Sequence, residues 1–152
     1  MDRKKTKPVF FDALQVGGDA PICVQSMTCT DTRDVKATLE QIGRLEDAGC
    51  ELIRVAVPDM EAARAIKDIK RGIRIPLIAD IHFNYRLALA AMESGTQGIR
   101  INPGNMPKDK IRTVVKAAKE SGVVIRIGVN SGSVEKDLLA QYAGPTAEAL
   151  VE

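Results

Sequence analysis

The chain has no tryptophan, and aromatic residues make up only 3% of its 152 positions. So few rings leave little for nucleic-acid bases to stack on, and a formal net charge of +2 is too small for a phosphate-backbone surface. No apolar run approaches the roughly 20 residues of a membrane span. No Gly-x-Gly-x-x-Gly follows the first strand pattern, which argues against a dinucleotide-binding fold. Cysteine is scarce: Cys23, Cys29 and Cys50 form an odd set without Cys-x-x-Cys spacing. They read as reduced thiols of an unexported, cytoplasmic chain, Cys23 and Cys50 packed at strand starts and Cys29 near a strand exit. The basic start Met1-Asp2-Arg3-Lys4-Lys5 resembles a signal n-region, but Asp12, Gln15 and Gly17-Gly18-Asp19 interrupt any apolar stretch behind it, so no export is expected.

What is present is an ordinary globular mixture, 45% apolar and 28% charged, organised by a structural period. Strand patterns fall at 23–28, 52–57, 77–82, 98–102 and 123–129, and helical patterns at 34–48, 60–71, 86–94, 108–121 and 135–141. Gly49, Gly72, Gly95 and Gly122 each follow a helical pattern, where glycine can terminate the helix at positive φ. Asp31 or Thr32, and Asp59, are expected N-caps, and Thr146 is expected to cap a further helix near the final residue. Alternating strands and helices predict an α/β protein with a parallel sheet. Because a closed eight-unit barrel takes about 250 residues, the chain is expected to hold about the first five of eight βα units of a TIM barrel.

Three of these strands carry an arginine among branched apolar residues: Ile53-Arg54-Val55, Ile99-Arg100-Ile101 and Ile125-Arg126-Ile127. Side chains alternate along a strand, so if the isoleucines and valines face the helices, the arginines face the lumen. The same parity sends Asp80 and His82 inward, joins Asn102 to Arg100, and joins Gly128 and Asn130 to Arg126. Buried arginine requires an anionic partner, and its planar fork suits phosphate oxygens. An internal ion-pair network would explain part of the pattern, but one inward carboxylate cannot neutralise three guanidinium groups. An anionic pocket at the C-terminal ends of the strands follows, with Gly104, Gly128 and Gly132 expected to let loop backbone approach the ligand and Ser131 and Ser133 offering hydroxyls. The basic Lys67, Lys70 and Arg71 read as a solvated helix end.

Four segments carry a resemblance: Val24-Gln25-Ser26-Met27-Thr28, Ile78-Ala79-Asp80-Ile81-His82-Phe83, Ile99-Arg100-Ile101-Asn102-Pro103-Gly104-Asn105 and Arg126-Ile127-Gly128-Val129-Asn130-Ser131-Gly132-Ser133. They closely resemble the bacterial 4-hydroxy-3-methylbut-2-enyl diphosphate synthase family (IspG/GcpE), over about residue 9 to the final residue. The resemblance implies a reductive ring opening of 2-C-methyl-D-erythritol 2,4-cyclodiphosphate in the non-mevalonate isoprenoid pathway. It also implies a TIM barrel that binds the diphosphate, a separate C-terminal domain holding a 4Fe–4S cluster, flavodoxin or ferredoxin as electron donor, and a homodimer. Carried over by motif, Arg54, Arg100 and Arg126 match diphosphate-binding positions, and Asp80, His82, Asn102 and Asn130 match other substrate-contacting ones. The cluster ligands and the catalytic glutamate match nothing in residues 1–152, so this stretch is expected to be the substrate-binding part and inactive alone. Two other readings stay open at this point: a dihydropteroate synthase-like barrel needing no iron, and a non-catalytic scaffold that self-associates through unpaired sheet edges.

Overall fold

The computed structural model describes residues 4–152. It opens on a hairpin, β1 (Val9–Phe11) paired antiparallel to β2 (Leu14–Val16), with Asp12 in the left-handed region at φ 52° in the tight turn between them. Five parallel strands follow in chain order, β3 (Gln25–Met27), β4 (Leu52–Ala56), β5 (Leu77–Ile81), β6 (Gly98–Ile101) and β7 (Val124–Ile127). Helices α1 (Val35–Asp47), α2 (Met60–Arg71), α3 (Tyr85–Glu93) and α4 (Lys108–Ser121) connect them. Two short helices, α5 (Lys136–Gln141) and α6 (Ala147–Val151), follow β7. The sheet curls as an open part of a barrel, with β3 and β7 at its edges.

Two apolar clusters divide the strand faces as alternation demands. Ile53, Val55, Leu77, Ala79, Ile81, Ile99 and Ile101 are buried against the helices in one cluster. Leu52 and Ile78, of the opposite parity, join Phe11 in the other. The hairpin therefore packs its Phe11 beneath the sheet as a floor. A methyl group at Gly98 would lie 2.6 Å from the Phe11 ring, so that glycine makes room for the floor.

The caps refine the expected boundaries. Asp59 and Thr146 cap α2 and α6 as expected, whereas Asp34 caps α1, accepting from the Ala37 N–H at 3.0 Å. Asp31 is instead held by Arg33, whose guanidinium keeps its carboxyl at about 2, and the Thr32 hydroxyl donates to the Ala56 carbonyl at 2.6 Å. Gly49, Gly95 and Gly122 do take positive φ after their helices, but Gly72 sits at φ −104°. Its constraint is packing, because a Cβ there would stand 2.7 Å from Leu39 Cδ2. Lys70 is also less solvated than expected: burial pushes its ammonium pKa down, and Asp12 of the hairpin turn partly offsets that.

Candidate functional site

The strand register orders the inward side chains by depth. Met27 stands beside Arg54, Arg54 beside Ile78, Asp80 beside Arg100, and Arg100 beside Arg126. Tilted barrel strands are staggered by about one residue per strand, so side chains of alternate strands share a layer. Gln25, Ile78 and Arg126 then form the layer above the floor, Arg54 and Arg100 the next, and Met27, Asp80 and Gly128 the one above it. Asn102, and then His82 and Asn130, lie toward the mouth. A contact between the two edge strands supports this stacking: the Arg126 guanidinium donates to Gln25 Oε1 at 2.6 Å across the lumen.

Asp80 is the hub. It is 3% exposed and receives Arg100 Nη1 on Oδ1 at 3.3 Å and Arg54 Nε at 3.6 Å from Oδ2. A buried carboxylate needs such partners, and here two cations share one anion. Arg54 Nε also points at Met27 Sδ, 3.1 Å away, a weak acceptor. Arg126 meets no carboxylate among the described ion pairs; Gln25 holds it with a neutral amide oxygen. The arginine charge therefore exceeds what Asp80 supplies. His82 is half-exposed with Nε2 4.0 Å from Asp80 Oδ2, so it stands above the hub at the mouth.

The loops at the mouth are fastened to each other. Asn102 is 1% exposed; its amide donates to Ser133 Oγ at 2.8 Å and its Oδ1 accepts from the Gly104 N–H at 3.0 Å. The Ser133 hydroxyl in turn donates to the Asn130 carbonyl at 3.0 Å and lies 3.2 Å from the Asn130 N–H. Gly104 has the Ser133 carbonyl where a Cβ would be, and Gly128 has the Arg100 guanidinium there. These two glycines thus make room for the protein's own groups, a use that the expectation of ligand approach missed. The structure gathers Arg54, Asp80, Arg100 and His82 into one cluster, sets Arg126 a layer deeper, ties Asn102 into the loop latch, and leaves Asn130 exposed on its turn.

The cysteines occupy opposite ends of the sheet. Cys50 is buried at the start of β4, its thiol pointing at the Leu52 carbonyl 3.2 Å away, and burial together with Glu51 and Cys50 pushes the nearby Cys23 thiol up. Cys29 lies beyond the end of β3, with Gln41 Nε2 3.2 Å from its sulfur. Three thiols divided in this way do not fit an iron–sulfur cluster. Among the described residues, no group of three His, Cys, Asp or Glu side chains could hold a metal ion. No helix among them is long and apolar enough to cross a membrane.

Residues 6–152 match the GcpE TIM-barrel domain. The 4-hydroxy-3-methylbut-2-en-1-yl diphosphate synthase (flavodoxin) of Maridesulfovibrio salexigens is 58% identical over 153 residues, which is 100% of this chain and 43% of that protein. The protein of the same name from Lawsonia intracellularis is 59% identical over 151 residues, 99% of this chain and 42% of that one. The chain thus spans less than half the length of these curated relatives. Among solved structures, the dihydropteroate synthase of Yersinia pestis superposes with a TM-score of 0.63 at 12% identity, covering 95% of this chain and 57% of that one. The 7,8-dihydropteroate synthase of Vibrio fischeri gives 0.61 at 14%, covering 80% and 48%. Likeness at such identity shows a shared fold alone.

Proposed function

The chain belongs to the GcpE family, and from that membership we propose that it is the substrate-binding part of an enzyme making 4-hydroxy-3-methylbut-2-enyl diphosphate from 2-C-methyl-D-erythritol 2,4-cyclodiphosphate. The observation that carries the reading is the imbalance at the hub: Asp80 faces Arg54 and Arg100, while Arg126, which meets no carboxylate among the described residues, bonds a neutral amide oxygen. A ligand carrying two or more negative charges would complete that arrangement. Arg54 and Arg100 would hold one phosphate from the layer beneath Asp80, and Arg126 would reach it from below. His82 and Asn130, near the mouth, would contact the carbon skeleton or the second phosphate. Asn102 would act on the ligand through the loop it fastens.

In this reading the barrel binds and orients the cyclodiphosphate and compensates charge as the ring phosphate leaves its carbon. The family's iron–sulfur chemistry would supply the electrons, with flavodoxin as donor, as the relatives' names suggest. The cysteines of residues 1–152 do not fit that cluster, so no step is assigned to them.

The test is Arg100→Ala in the full-length protein, followed by calorimetry with the cyclodiphosphate. Removing one charge-assisted contact should weaken binding by about 1.5–3 kcal/mol. An unchanged affinity would refute the role.

A further inference from the structure

Gln25 is the partner that the sequence reading passed over. It lies on β3, one edge strand, and its Oε1 takes the Arg126 guanidinium of β7, the other edge strand, at 2.6 Å. The other two lumen arginines are drawn to the Asp80 carboxylate. Arg126 differs in being aimed by an oxygen that carries no charge. An amide oxygen fixes the direction of a guanidinium much as a carboxylate would, but leaves its full positive charge for a ligand.

We propose that Gln25 is a positioning residue for anion binding: it holds Arg126 across the lumen, one layer beneath Arg54 and Arg100, without neutralising it. The identity of the side chain matters as much as its reach. Glutamate would make a stronger bond in the same place and consume the charge that the site needs. The inference rests on the anion-binding reading above.

Its test uses inorganic pyrophosphate as the probe, titrated calorimetrically into the full-length protein, with thermal unfolding measured on each variant. Gln25→Glu should weaken pyrophosphate binding by about tenfold or more while leaving the melting temperature unchanged or raised. Gln25→Met, of similar length but without the acceptor, should weaken binding about threefold to tenfold by freeing the Arg126 fork. The Gln25→Met loss should vanish in an Arg126→Ala background, because Gln25 acts through that arginine. Binding by Gln25→Glu equal to the parent would overturn the proposal. So would a Gln25→Met penalty that persists without Arg126, since the amide would then act on the anion directly and not through that arginine. Failure of the parent protein to bind pyrophosphate, or an Arg100→Ala variant that binds it as tightly, would instead overturn the anion-site reading itself.

Discussion

The middle and the edges of this sheet handle buried polarity in opposite ways. Strands β4, β5 and β6 are covered by helices on one face, and their inward charges meet as ions, with Asp80 between Arg54 and Arg100. The edge strands β3 and β7 are shorter or more exposed, and their inward groups meet as a cation and a neutral amide. Ile127 on β7 is 66% exposed and Val24 beside β3 is 54% exposed, whereas Ile53, Ile81 and Ile99 are fully buried. The contrast teaches that charge is compensated where burial makes it costly, and is left available where the lumen stays open.

The most forceful way to break the contrast is Asp80→Ala. It would leave Arg54 and Arg100 facing each other without an anion, and should cost about 3–5 kcal/mol in urea unfolding. A loss under about 1 kcal/mol would mean that solvent already screens the hub. Next comes Gly98→Ala, which presses a methyl group into the Phe11 ring and should cost about 1–3 kcal/mol. Because it acts at the floor, it should move stability more than ligand affinity.

A smaller effect would sharpen the comparison on the outer surface. Glu46 caps the turn before β5, accepting from the Arg74 and Ile75 N–H groups and from the Arg74 guanidinium at 2.8, 3.3 and 3.0 Å. Burial pushes its carboxyl up, but these hydrogen bonds outweigh it and hold the group below the ordinary carboxylate value. Since the folded state favours the ionised form, its contribution is complete above the unfolded value and is lost as pH falls through the folded one. Glu46→Gln should therefore cost about 1 kcal/mol near neutrality and progressively less in acid, read from unfolding curves at several pH values.

Much of this was legible because charged residues among branched apolar ones mark strand parity unambiguously. Ile53-Arg54-Val55 and Ile99-Arg100-Ile101 disclosed both the strands and the lumen face, and the helical patterns disclosed α1 to α5 within a residue or so at most ends. The β1–β2 hairpin escaped because strands of three residues carry almost no periodic signal, and its tight turn uses Asp12 at positive φ where glycine or asparagine is the usual mark. Gln25 escaped because a neutral side chain on a short edge strand announces no chemistry. Its parity with Met27 was the available signal. Gly72 was assigned the wrong reason, and the packing roles of Gly104 and Gly128 went unread, since close packing between distant segments leaves no trace in local sequence.

The latch at the mouth has a consequence for how this chain can change. Gly104 sits against the Ser133 carbonyl, and Asn102 is bonded to the Ser133 hydroxyl, so the loop after β6 and the turn after β7 share one geometry. A larger residue at position 104 would displace the turn at 131–133, and losing the hydroxyl at 133 would strand the amide of Asn102. Neither loop can drift in sequence without the other, so descendants of this chain should inherit them as a pair.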